Sequence, residues 1–430
     1  MIFQFSLYGF LKNQRYFEPF LVLAFLEKGL SFTEIGLLIG FREICVNVLE
    51  VPTGAIADVL GRRRSMIFSF LSYIAAFALF GLLEPVWTLL IAMLFFSAGE
   101  AFRTGTHKAI IFDWLRQQGR EGEKTKVYGF TRSWSKLGSA VSVLLAAALV
   151  FVTKSYSAIF LFSIVPYVGN IVNFLTYPSE LDGPKTEKAS LGGVVRTLWR
   201  GLADSLRTRP LRRLLTEGAC FDGTFKAVQG YLQPVLESYA KVAALALPLL
   251  AGLADRQQIA VFVAAAYVVL HLLGSFASRR ADAMLKWAGD QKAAARRLWW
   301  FDLLIFAVLT AGVLLARPVA AIAAFVALSF IQNFWRPILV SRFADEADSD
   351  RMATTLSIES QVRSLFAAVL APLLGLAVDL AARYQPAAWK ADLRFLPVGA
   401  VGLLIAAIML ATGRATPAKG ETGSNPPAKQ

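Results

Sequence analysis

The sequence predicts an all-α membrane protein whose twelve transmembrane helices form two six-helix halves. Three observations carry this prediction. Of the 430 residues, 56% are hydrophobic and only 17% charged, and the mean hydropathy is +0.54, too apolar for a chain dissolved in water. Apolar runs of about 20 residues, long enough to cross a hydrocarbon core of about 30 Å, recur along the whole chain. The basic residues gather in alternate short loops between those runs.

Taken in order, helices are expected over 4–27, 33–53, 65–83, 86–115, 128–152 and 157–177, then over 212–238, 257–278, 298–316, 319–342, 353–381 and 395–412. The stretch 242–253 is apolar but too short to span, and reads as an outer extension or interfacial segment. Assigning loops alternately puts about 26 Lys and Arg on one side and about 8 on the other, which places both termini in the cytoplasm of a multi-pass protein of the cell (inner or plasma) membrane. Arg383, Lys390 and Arg394, in the last outer loop, run against that bias. Pro178, Gly183, Pro184, Gly192 and Gly193 interrupt the chain after the sixth span. The domains expected are therefore a first half (1–177), a cytoplasmic linker (178–211), a second half (212–412) and a disordered cytoplasmic tail (413–430). Within the linker, Val194, Val195, Leu198, Leu202 and Leu206 share one helical face and Arg196, Arg200 and Arg207 the other, the pattern of a surface helix on the inner leaflet.

A net charge of +14 does not point to nucleic acid, because the basic residues are dispersed over short loops instead of forming one stripe. Cys45 and Cys220 lie far apart in apolar segments and make neither a metal-ligand cluster nor a disulfide framework. No cofactor is expected. The N-terminus lacks the basic head, short apolar core and cleavage site of a signal peptide.

Ionisable residues inside a membrane are costly and face a bundle interior or a wet cavity. They are unevenly distributed here. The third, sixth and twelfth spans carry none, and the ninth only Asp302 near its cytoplasmic end, so these four read as a lipid-facing scaffold. The first span carries Arg15 and Glu18; the second Arg42, Glu43 and Glu50; the fourth Glu100, Arg103, His107, Lys108 and Asp113; the fifth Arg132 and Lys136. In the second half the seventh has Glu217, Asp222, Lys226 and Glu237, the eighth His271, the tenth Arg336 and the eleventh Glu359 and Arg363. Helical periodicity puts Glu43, Asn47 and Glu50 on one face, as it does Glu100, Arg103 and His107, and Arg132, Ser135, Lys136 and Ser139. Asp222, Lys226, Gln229, Gln233 and Glu237 form a longer stripe. Glu359 and Arg363 read as a structural pair at i,i+4, and Asp113 and Arg342 as side chains reaching for headgroups.

After the second span comes Gly54-Ala-Ile-Ala-Asp58-Val-Leu-Gly61-Arg62-Arg63-Arg64. Its glycines suit a tight turn or close backbone approach, its arginines hold the loop in the cytoplasm, and Asp58 suits charge-assisted hydrogen bonds. The stretch resembles the G-x-x-x-D-x-x-G-R-x-R signature of the major facilitator superfamily. That resemblance implies a cytoplasmic gate formed by Gly54, Asp58, Gly61, Arg62 and Arg64, with Asp58 helping to hold the halves together. The second copy, around Ser278-Arg279-Arg280, is degenerate. Gly129 and Gly138 match the opening of the family's antiporter motif, but the later glycine and Gly-Pro are missing.

The resemblance implies a secondary transporter working by alternating access, since no phosphate-binding lysine loop is present. The partners expected are a small polar solute, anionic or zwitterionic, the lipid bilayer and protons. Arg15, Arg103, Arg132, Lys136, Lys226 and Arg336 are the candidates for solute recognition, and Glu18, Glu50, Glu100 and Asp222 for proton coupling. Two rival classes stay open: a non-transporting receptor or scaffold on the same fold, and an intramembrane enzyme using His107 with Glu100 or Asp113.

Overall fold

Apolar spans separated by short polar loops can satisfy their backbone polar groups in lipid only as helices, and helices are what the chain forms. The computed structural model describes residues 1–104, 106–182, 191–245, 250, 252–346, 352–385 and 392–413. The helices are α1 (Ile2–Lys12), α2 (Leu21–Glu27), α3 (Phe32–Leu60), α4 (Arg62–Leu82), α5 (Val86–Arg103), α6 (Thr106–Gln117), α7 (Lys124–Thr153), α8 (Ala158–Leu175), α9 (Leu191–Arg207), α10 (Arg209–Val228), α11 (Leu232–Leu245), α12 (Asp255–Arg279), α13 (Ala281–Ala288), α14 (Gln291–Leu314), α15 (Pro318–Glu346), α16 (Met352–Tyr384) and α17 (Leu396–Gly413). Among the described residues nine helical stretches are long and apolar enough to cross a membrane. The other three expected spans fall on α1–α2, α3 and α10–α11.

Three expected spans are interrupted. The first breaks after Lys12, where the Asn13 amide donates to the Gly9 carbonyl at 2.6 Å and Pro19 sits in a 3₁₀ turn, Glu18–Phe20, ahead of α2; proline has no N–H to continue the ladder. The fourth breaks at Thr104, whose backbone is extended. The seventh breaks at Gln229–Tyr231, where Gly230 lies against Val22. At the first interruption Asn13 is half-buried and Gln14 buried, whereas Thr104 and Gln229 at the other two are exposed.

α14 starts earlier than expected, because the Asp290 side chain accepts from the Ala293 N–H at 2.7 Å and caps it. Asp302 consequently lies in mid-helix and is 5% exposed, packed inside the bundle and not near a cytoplasmic end. The expected scaffold helices do turn apolar side chains outward: Phe68 and Leu71 on α4, Val165 and Val172 on α8, Leu304 on α14 and Leu404 on α17. α13 was not foreseen within the basic loop 279–297. α11 ends at Leu245 and much of 242–253 lies outside the described residues, as do Gly183, Pro184, Lys390 and the tail from 414.

α1–α8 pack chiefly on one another, and so do α10–α17. The main crossing contact between the two sets is α3 on α16. Its closeness comes from missing side chains: a Cβ on Gly36 would stand 2.5 Å from the Ala371 carbonyl, one on Gly40 2.5 Å from that of Ala368, and Gly375 abuts the Phe32 carbonyl. At the end of this seam the Asp379 carboxylate accepts from the Phe32 N–H (3.1 Å), the Thr33 N–H (2.8 Å) and the Thr33 hydroxyl (2.5 Å), capping α3 from the opposite set. Nearby, Gln233 accepts from the Val22 N–H and donates to the Glu18 carbonyl, and Arg256 pairs with Glu27 at 3.0 Å. α9 packs on α3, α10 and α16, with Gly201 against Ile358 and Thr354. Ser205 is buried whereas Leu206 and Trp199 are exposed, and Leu202 packs partly against the core; the side chains of Val194, Val195 and Leu198 lie outside the described residues.

Candidate functional site

The polar groups left inside the bundle collect into three places. The first is a cavity of about 340 Å³ walled by α1, α5, α6 and α7, into which Lys12, Arg103, His107, Lys108, Arg132 and Lys136 face, with Asn13, Thr131, Ser135 and Ser139 between them and the rings of Phe5, Tyr8 and Tyr128 alongside. α1 and α7 come close enough to share it because a Cβ on Gly138 would stand 2.5 Å from the Phe10 carbonyl. Arg132 Nη1 lies 3.5 Å from the Tyr128 hydroxyl, and the Lys108 ammonium stands 5.4 Å and 5.7 Å from the Phe112 and Tyr128 ring centres. His107 stacks on Tyr8 with ring centres 3.8 Å apart, and its Nε2 is 3.5 Å from the Tyr177 hydroxyl.

Beside the cavity is a carboxylate with its oxygens already occupied. Glu100 Oε1 is held by Arg103 and lies 3.9 Å from Arg15, while Oε2 accepts from the Tyr73 hydroxyl at 3.1 Å. Arg15 also reaches the half-exposed Glu18 at 3.8 Å. The sequence places Arg15, Glu18, Glu100 and Arg103 on two different spans; the structure brings them into one network.

The second place is balanced. Asp222 of α10 faces Arg363 of α16 at 3.4 Å and Arg336 of α15 at 3.8 Å, and Glu359, fully buried, takes Arg336 at 2.6 Å and Arg363 at 3.8 Å. The i,i+4 pair expected of Glu359 and Arg363 is present, but the shorter contact runs across helices. The third place joins the two sets. Glu43 of α3 accepts from Lys226 of α10 at 2.8 Å and from its neighbour Arg42 at 2.7 Å, Lys226 donates to Ser364 at 3.2 Å, and Asn47 donates to the Gln361 carbonyl at 3.2 Å. Glu50 is half-buried and makes no ion pair among the described residues. His271 is exposed on α12 and joins none of these groups.

The glycine-arginine motif is built around the α3–α4 turn. Gly61 has φ +99°, a left-handed conformation that favours glycine, and the Asp182 carboxylate fills the space a Cβ would need. Asp182 accepts from the Arg63 N–H at 3.0 Å, the Arg63 guanidinium donates to the Tyr177 carbonyl at 2.7 Å, and Arg62 pairs with Asp113 of α6. Arg64 is exposed, and Gly54 is exposed with nothing against it, so a close approach does not explain Gly54. The Asp58 side chain lies outside the described residues. These contacts join the α3–α4 turn to α6 and to the segment just after α8, and none of them reaches α10–α17. Asp113, expected to reach for headgroups, instead binds Arg62 and Arg116. Arg342 likewise binds Glu217 at 2.5 Å, with Arg213 on the other oxygen at 2.7 Å.

Sequence reasoning missed Lys12. Its signal was the polar run Lys12-Asn13-Gln14-Arg15 within an apolar span, which also marks the break. The acid-base pairing of His107 with Glu100 or Asp113 is not formed; its surroundings are aromatic.

Interrupted spans, a polar interior and two helix sets meeting on a glycine seam define a polytopic α-helical membrane protein. The chain belongs to the Major Facilitator Superfamily, whose family profile matches residues 5–372. A curated relative, the uncharacterized MFS-type transporter YxaM of Bacillus subtilis (strain 168), is 29% identical over 90 residues. That match spans 21% of this chain and 23% of the relative. Similar solved structures include the nucleoside transporter NupG (TM-score 0.76, 10% identity, 96% of this chain and 99% of that one). A POT family transporter in complex with 5-aminolevulinic acid (0.69, 13%, 96% of each chain) and a D-xylose-proton symporter (0.66, 11%, 95% and 96%) are also similar. At these identities the likeness is one of fold.

Proposed function

We propose that the protein is a secondary active transporter of a small polar solute, anionic or zwitterionic, working by alternating access with proton coupling. The observation that carries the reading is the basic cavity among interrupted helices of a membrane fold. A cavity at the lower end of the size of small-molecule sites, lined by charge inside a bilayer protein, suits a solute pathway better than a structural core. In this reading 1–177 and 212–412 are the halves that rock, 178–211 links them, and both termini are cytoplasmic. The Asp379 cap on α3, the Gln233 bonds and the Arg256–Glu27 pair hold the outer end shut. The Glu43–Lys226 pair lies deeper and breaks when the halves separate there.

Coupling follows from competition for Arg103 and Arg15. A solute carboxylate or phosphate and the Glu100 carboxylate seek the same guanidinium groups. A proton on Glu100 frees them for the solute, so proton and anion load together. The test is uptake into proteoliposomes with an imposed pH gradient, using a solute panel and the variants Glu100→Gln and Asp58→Asn. Accumulation driven by the gradient in the parent and lost in Glu100→Gln, with equilibrating exchange retained, is expected. Binding without flux of any solute would replace the transporter by a receptor.

A further inference from the structure

We infer that the cargo is a multiply charged organic anion, a phosphomonoester or a di- or tricarboxylate, and not a zwitterion or a neutral solute; this rests on the cavity being the transport site. The argument is one of charge balance. Lys12, Lys108, Arg132 and Lys136 face the cavity, and among the described residues none of them forms an ion pair with a carboxylate. The neighbouring carboxylate, Glu100, cannot serve them, because Arg103, Arg15 and the Tyr73 hydroxyl already hold its two oxygens. A zwitterion's ammonium group is best met by a carboxylate, and among the described residues that line the space there is none, only hydroxyls, the Asn13 amide and aromatic rings. Lys108, Arg132 and Lys136 are exposed through the open side of the cavity, so water carries their charge until a solute enters, and a single negative charge would leave most of the lining cations without a partner.

Reaching for headgroups does not account for the whole set. Lys136 is the thirteenth residue of α7, roughly 18 Å along the helix from its start at 1.5 Å per residue, and Lys12 sits at the break between α1 and the turn before α2. The rings of Phe5, Tyr8 and Tyr128 lie among these charges, which suits an organic body over a bare inorganic ion.

The experiment is thermal unfolding and equilibrium binding of the purified full chain in neutral detergent, with a hexose phosphate, citrate, dialanine and uridine as separate probes, followed by counterflow of each probe in phosphatidylcholine proteoliposomes. The hexose phosphate or citrate raises the unfolding midpoint, and the two arms separate phosphate from carboxylate charge. Lys136→Gln and Lys12→Gln each weaken binding by about tenfold or more, the loss of one charge-assisted bond, while unfolding without ligand at the parent's temperature. Stabilisation by dialanine or uridine that survives Lys136→Gln, or by phosphatidylglycerol but by neither soluble anion, overturns the inference, as does no response to any anion. Anion binding with no counterflow leaves the cavity an anion site and overturns the transporter reading, and with it the cargo; counterflow of a neutral solute keeps the transporter and overturns the inference.

Discussion

The charges around α1, α5, α6 and α7 and those among α10, α15 and α16 come from corresponding stretches of the two helix sets, yet they are balanced differently. In the second group two carboxylates, Asp222 and Glu359, meet two guanidinium groups, Arg336 and Arg363, and every partner is in reach. In the first, six basic side chains face a cavity and the nearby carboxylate is already engaged. A neutral cluster holds helices at fixed distances; an excess of one charge around open volume is useful only when something of opposite charge enters. The difference separates structure from recognition without appeal to either group's position in the sequence.

That contrast can be broken by removing charges from each side. The largest effect is expected for Glu359→Gln, which leaves Arg336 and Arg363 to share Asp222: thermal unfolding in detergent should show a loss of about 3 kcal/mol, the low end for removing one partner of a buried pair. If the variant is as stable as the parent, the second cluster is not structural. Next is Gly36→Val on the α3–α16 seam, where the added carbons meet the Ala371 carbonyl; overpacking should cost about 1–3 kcal/mol and loosen the closed end. Asp379→Ala removes the bonds that tie the start of α3, itself capped by Ser31, to the opposite set and should cost about 1 kcal/mol in thermal unfolding. Smallest on stability is Lys136→Gln, within about 0.5 kcal/mol of the parent, because no partner is stranded; a large loss there would turn the cavity into another structural cluster.

The sequence made the membrane fold legible because lipid leaves the backbone few choices: most helix ends fall within a few residues of those expected. The interruptions were harder to read. Asn13, Pro19 and Gly230 were visible, but an apolar run of the right length outweighed them. Glu100 with Arg103 and Asp222 with Lys226 lie within the bundle, and Arg132 with Lys136 line the cavity while remaining exposed. Which charge meets which was not readable, since Lys226 with Glu43, Arg342 with Glu217 and Arg62 with Asp113 join distant segments through packing. Asp302 was misplaced because the Asp290 cap, hidden in a basic loop, lengthens α14.

The most direct measurement is solute uptake by proteoliposomes containing the parent or Lys136→Gln, at equal reconstituted protein and with thermal unfolding recorded on the same preparations. The account predicts that the parent accumulates an anionic solute in a saturable way and that Lys136→Gln, equally stable, loses that uptake. Equal uptake by both proteins, or a loss that tracks unfolding, would contradict it.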